Sequence, residues 1–187
     1  VGAWGRQVGG HLWRTTGDIT DDYATMARIG FDKNGNPEHT GPNGFNDPDM
    51  LEVGNGGMSE VEYTTHMTLW AMSAAPLLMG HDLRQTPPAM LRLLENRDVI
   101  AVDQDAKGVQ GKAVRKDGAL EIWSKPLADG SVALALFNRG DASATMEARP
   151  ADAGFDTITT ARDLWRGEGL TAETLRTDFL DLWEQQQ

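Results

Sequence analysis

The 187-residue chain contains no cysteine, which excludes a disulfide framework and a thiolate metal centre. That fits a reducing cytoplasm, or a bacterial secreted protein that folds without bridges. No run of about 18 apolar residues exists, so no membrane-spanning helix is expected. The longest candidate, Met67 to Met79, is broken by Thr68, Ser73 and Pro76, and reads as a buried helix running into a strand. Positive charge is scarce, with 17 Lys and Arg against 28 Asp and Glu and a net charge of -11. Nucleic acids and anionic membranes are bound by clustered cations, so neither is an expected partner, whereas an uncharged ligand is indifferent to this balance. The four histidines (His11, His39, His66 and His81) show no metal-ligand spacing, and Asn55-Gly56-Gly57 is too short for a phosphate loop and lacks its Lys. No cofactor and no metal are therefore expected. No signal peptide is visible, and the opening VGAWGRQVGG, without Met, reads like the middle of a longer sequence.

What is present is a chain of two textures. Through the first hundred residues, short strand-like runs alternate with helix-like segments. Gly10 to Thr16 reads as a strand ending at Gly17-Asp18, Asp21 to Ile29 as a helix with Asp21 as its N-cap, and Phe31 to Asn46 as a Gly-, Asn- and Pro-rich loop. Asp49 to Val53 reads as a second strand closed by the turn Gly54 to Gly57. Ser59 with Glu62 forms a capping box that opens a helix from Glu60 to about Ser73, with Tyr63, Met67, Leu69 and Trp70 on a buried side. Pro76 to Met79 is a third apolar run, and Pro87 opens a helix over Ala89 to Glu95. Such alternation is what a parallel sheet or barrel with crossover helices shows.

After Gln104 the texture changes. Val114 to Gly118, Ala119 to Trp123 and Ser131 to Phe137 are punctuated by Asp117-Gly118 and Asp129-Gly130, strong hairpin signals. Met146 to Ala148 and Thr157 to Trp165 add further strand-like runs. The expected division is residues 1–107 for the first part and 108–187 for an antiparallel β domain, a sandwich or an incomplete piece of one.

Two constellations carry chemistry. In Trp13-Arg14-Thr15-Thr16-Gly17-Asp18-Ile19, the guanidinium of Arg14 offers a fork of donors to hydroxyls or to a carboxylate. A carboxyl there works as a proton donor where its surroundings favour the neutral form. By residue types alone, Asp18 suits an N-cap of the following helix better, although Asp21 and Asp22 compete for that place. In Asn46-Asp47-Pro48-Asp49-Met50, Pro48 fixes a turn and both carboxylates are placed to accept from backbone amides or from a ligand. The alternating acids of an EF-hand loop are missing, and Met50 alone reads as core.

Taken together, the blocks HLWRTTGDI (His11 to Ile19), NDPDMLEVGNGGM (Asn46 to Met58), THMTLWAMSAAPLLMGHDLR (Thr65 to Arg84) and NRDVIAVDQDAKGVQG (Asn96 to Gly111) resemble glycoside hydrolase family 27, the α-galactosidases and α-N-acetylgalactosaminidases, in the family's order. The resemblance implies the C-terminal part of a (β/α)8 TIM barrel followed by an antiparallel β-sandwich domain. It implies a retaining exo-glycosidase acting on terminal α-galactosyl residues of oligosaccharides or glycoconjugates. It makes Asp18 the catalytic acid/base, and Arg14 and Met50 substrate-binding residues, with Asp47 and Asp49 shaping the loop beneath the sugar.

Retention needs two carboxylates about 5–5.5 Å apart. The resemblance places the nucleophile in a Lys-x-Asp type motif of an earlier barrel strand, and no such motif occurs in this chain. A whole barrel takes about 250 residues, whereas about three β/α units are legible here. The chain is therefore expected to hold the acid/base half of a site. Two alternatives stand beside it: an inactive remnant, or a carbohydrate-binding module with Trp123 and Trp165 as exposed aromatics. Phe45 stands where the family often has Trp, and His81 where it has Asn. Thr171 to Gln187 departs from the family and reads as an amphipathic helix through Leu175, Phe179, Leu182 and Trp183. The missing cysteines favour a bacterial origin over an animal lysosomal one. The sugars that the resemblance admits are galactose, N-acetylgalactosamine and arabinopyranose.

Overall fold

A computed structural model describes residues 1–170. The amphipathic helix expected over 171–187 lies outside them. A first strand, β1 (Leu12–Arg14), leads through a loop to a short helix, α1 (Tyr23–Ala27). The cap of α1 is Asp22, whose carboxylate accepts from Thr25 N at 2.8 Å; neither Asp21 nor Asp18 takes that place. The helical path does not stop at Ile29. It widens into a π-helical stretch, Arg28–Lys33, that buries Ile29 and Phe31, so the expected loop begins later than Phe31.

Strand β2 (Phe45–Asp47) lies parallel to β1, with Trp13 opposite Asn46. It sits earlier than the expected strand over Asp49 to Val53, for a local reason. Pro48 has no N–H to donate, and Asp49 sits at φ 105°, which breaks the pleat. Pairing resumes as a single parallel bridge between Leu51 and Met79, where the third apolar run joins the same parallel set. Between these strands runs α2 (Glu60–Ser73), opened by the Ser59–Glu62 capping box. Its buried residues reach beyond one side, adding His66, Ala71, Met72 and Ser73, because the helix packs between strand segments and later helices. Two shorter helices follow, α3 (Pro88–Leu94) and α4 (Arg97–Asp103), the second capped by Asn96.

The remainder is antiparallel. β3 (Lys112–Asp117), β4 (Leu120–Pro126) and β5 (Val132–Asn138) form one meander, and β6 (Ala161–Asp163) pairs with β7 (Glu168–Leu170). The β3–β4 turn needs a left-handed residue, supplied by Gly118 at φ 57°. No regular strand forms at Met146 to Ala148.

One core joins the two textures. Phe31, Trp123 and Phe137 meet edge to face with ring centres 5.0 to 6.0 Å apart. Trp123, expected as an exposed aromatic, is a core residue whose indole N–H donates to Glu121. Trp165 is half-buried and donates to Thr68 on α2. These two rings hold the sheet and hairpin to the helices, so neither stands out as a platform for a sugar. Among the described residues no helix is long and apolar enough to cross a membrane.

Candidate active site

The loops that follow β1 and β2 meet at one end of the parallel strands, the end where functional groups of such folds gather. The loop after β1 is anchored at four points. Thr15 N donates to Asp47 O at 2.8 Å, and the Thr16 hydroxyl donates to Pro48 O at 2.8 Å. Ile19 N donates to the Asp49 carboxylate at 2.8 Å, and Asp21 accepts from Gly57 N. Asp18 stands between these anchors with its side chain 99% exposed. Its carboxylate accepts from Arg14 Nη2 at 3.2 Å. So open an ion pair adds little stability; what the loop delivers is a fixed backbone beneath a free carboxyl.

Arg14 bridges two acids, since Nη2 also donates to Asp49. Asp49 is the opposite of Asp18. It is buried, and its oxygens accept from Arg14, from Ile19 N and from Met50 N at 2.8 Å. Its own N–H donates to Asp47 Oδ1 at 2.9 Å, and its carbonyl accepts from the Trp70 indole N–H at 2.7 Å. This web holds a non-glycine residue at a positive φ, a strain of the order of 1–3 kcal/mol that surrounding contacts must sustain. Both carboxylates of the Asp47-Pro48-Asp49 turn therefore accept from backbone amides.

Met50 follows, 43% exposed rather than in the core, with its side chain against Gly80. Arg14, Asp18 and Asp49 are thus joined through hydrogen bonds, and Met50 is the next residue along the same loop. A cavity of about 250 Å³ opens beside Arg14 and Thr15, walled also by Trp13, His39 and Asn46, and Asp18 and Met50 do not line it.

Helix α2 supports this end from below. His66 is fully buried and edge-on to Trp70 at 4.1 Å, and its Nε2 accepts from Glu52 N at 3.1 Å. Burial drives its pKa down to about 3, so it stays neutral. His66 and Trp70, one turn apart, thereby grip the backbone on both sides of Met50 and Leu51. Tyr63, a turn earlier, donates its hydroxyl to Asp21 at 2.8 Å and accepts from Gly56 N at 2.6 Å. Burial, then the bond to Asp21, raises its pKa. From the sequence Asp21 reads as a helix cap and Tyr63 and Trp70 as core, and none of these, nor His66, carries a role at the site. Helical periodicity shows only that Tyr63 and Trp70 are buried, not what their polar atoms hold. Among the described residues no group of three or more His, Asp or Glu side chains is placed to hold a metal ion.

The family described as alpha galactosidase A matches residues 6–105, and its C-terminal beta sandwich domain matches residues 117–181. The chain belongs to this family, glycoside hydrolase family 27. Within it, "Alpha-galactosidase 2" of Arabidopsis thaliana is 48% identical over 164 residues, covering 87% of this chain and 41% of that protein. A Bacteroides fragilis structure, solved as that of a candidate alpha-galactosidase, superposes with a TM-score of 0.82 at 34% identity, over 91% of this chain and 40% of its own. A β-L-arabinopyranosidase of the family from Geobacillus stearothermophilus superposes at 0.72 with 26% identity, over 86% and 40%. The chain spans about two fifths of the length of the curated relatives it matches. Its fold is that of the family over this span: part of the barrel, then the antiparallel module.

Proposed function

We propose that this chain supplies the acid/base half of a retaining α-galactosidase. The observation that carries the reading is the placement of Asp18. It is a freely exposed carboxyl on a loop pinned on both sides, beside an Arg, at the strand end where the family's chemistry is expected. Asp18 protonates the departing glycosidic oxygen, then takes a proton from the water that releases the sugar. Arg14 turns donors toward the sugar hydroxyls while Asp49 holds its orientation, and Met50 offers an apolar contact to the sugar ring.

The second carboxylate does not come from Asp49. That residue is buried, and its oxygens are taken up by Arg14, Ile19 and Met50, leaving it a support rather than a nucleophile. The nucleophile belongs to the part of the barrel beyond these residues, so the chain alone is inactive. The relatives' names support α-galactosides as the substrate class, and an arabinopyranosidase among the solved structures marks one alternative beside N-acetylgalactosaminides. The division into a barrel portion, 1–107, and an antiparallel module, 108–187, is part of the same proposal. It is supported by the change from helices to antiparallel strands after Asp103.

The test replaces the matching segment of the Arabidopsis relative by this chain and measures hydrolysis of melibiose-type and aryl α-galactosides. Turnover by the chimera and none by the chain alone support the reading. Turnover by the isolated chain that Asp18→Asn abolishes contradicts the half-site.

A further inference from the structure

The loop that carries Asp18 is closed at its far end by a clamp that the mechanism above does not use. Asp21 accepts from Tyr63 Oη with one oxygen and from Gly57 N with the other. The same phenol oxygen accepts from Gly56 N at 2.6 Å and from Met58 N at 3.4 Å. One carboxylate and one hydroxyl therefore join three elements: the loop after β1, the glycine turn after β2, and the first turns of α2. The loops touch so closely that a Cβ on Gly57 would lie 2.1 Å from the Asp21 carbonyl oxygen. Bonds to an ionised carboxylate are among the stronger hydrogen bonds, and Tyr63 is buried.

The near end of the loop is held by Thr16 on Pro48, and Ile19 N, lying between Asp18 and the clamp, donates to Asp49. Among the described residues, Asp18 itself makes only the open contact with Arg14. Its position is therefore set by its backbone, and its backbone by these two sets of anchors. Catalytic groups must be held to within a fraction of an ångström of the productive geometry. We propose that Asp21 is a positioning residue for Asp18, acting through Tyr63 and Gly57 to fix the loop between Gly17 and Asp22. The assignment rests on Asp18 being the acid/base, but the clamp is measured without any catalytic readout, so the two ideas fail separately.

The experiment is amide hydrogen exchange by NMR on the 187-residue chain, comparing the native sequence with Asp21→Asn and Asp21→Glu. Asn keeps one acceptor oxygen and puts an NH2 donor where the other stood, so one of the two donors loses its partner in this geometry. The clamp predicts at least about tenfold faster exchange at both Gly57 and Ile19 in Asp21→Asn, with Met67, Leu69 and Trp70 unchanged. It also predicts partial recovery in Asp21→Glu. Faster exchange at Gly57 with Ile19 unchanged would overturn the proposal, because Asp21 would then hold only the turn. A uniform rise at all amides would also overturn it, because Asp21 would then serve general stability alone. Should Asp21→Asn fail to fold, Tyr63→Phe, which keeps the ring and removes only the hydroxyl, is read by the same pattern.

Discussion

The indole N–H of Trp70 donates to the carbonyl of Asp49 at 2.7 Å, and that bond helps keep Asp49 at φ 105°. The residue that holds Arg14 is thus held in turn by a helix 21 positions away in sequence. Replacing Trp70 by Phe leaves a buried carbonyl without its donor, which costs about 1–3 kcal/mol, and the lost ring volume adds to that. Urea unfolding of Trp70→Phe should show at least this loss. An unchanged midpoint would mean that the strained turn stands without Trp70.

His66 gives the fold a pH dependence of definite sign. Burial lowers its pKa to about 3, against about 6.5 in the unfolded chain. Between these values the unfolded state binds the proton and the folded state does not, so stability is full above about pH 6.5 and declines as pH falls toward 3. The slope is about 1.4 kcal/mol per pH unit inside that window. In His66→Gln, which keeps an acceptor for Glu52 N, unfolding free energy measured from pH 7 to 4.5 should lose most of this slope. An equal slope in both proteins would assign it to other groups.

Lys125 ties the sheet to the helices. It is completely buried on β4 and donates to Ala71 O in the last turn of α2 at 2.8 Å, and its ammonium also faces the end of α4 at Asp103. Burial pushes the Lys125 amine down and the Asp103 carboxyl up. Lys125→Met removes the donor from a buried carbonyl, and a loss of about 1–3 kcal/mol is expected on chemical denaturation. A gain would show that desolvating the amine costs more than its bonds return.

Gly57→Ala places a methyl group against the Asp21 carbonyl, at a backbone that has no slack. The expected outcome is a destabilisation of about 1–3 kcal/mol, read as a lower melting temperature. A neutral effect would show that the two loops separate freely.

Much of the scaffold was legible from local chemistry. The Ser59–Glu62 pair marked the start of α2, Pro87 the start of α3, and the Asp-Gly steps the turns of the meander. What was not legible depended on partners distant in sequence. Asp21 and Asp22 are equivalent as caps by residue type; Asp21 is taken up by Tyr63, 42 positions on, and by Gly57 N, and Asp22 is the cap. Strand β2 was displaced in the reading because the apolar run after Pro48 looks more strand-like than Phe45-Asn46-Asp47. Its pairing depends on β1, whose Trp13 indole donates to Asn46 at 2.8 Å. Trp123 looked exposed because its strand alternates weakly, and its burial depends on Phe31 from the other half of the chain. At the site, residue types alone made Asp18 a helix cap. Family resemblance implies an acid/base there, and the structure gives the cap to Asp22 instead.

The most direct test of the account is Asp18→Ala in the chimera with the Arabidopsis relative, assayed on an α-galactoside with a sugar leaving group and again on an activated aryl α-galactoside with added azide. General acid/base groups contribute about 10²–10⁴-fold. The account predicts a loss in that range on the sugar substrate and recovery of aryl-galactoside turnover by azide, which attacks without needing a base. A variant that keeps near-native turnover of the sugar substrate, or one that azide does not restore, would contradict the assignment of Asp18.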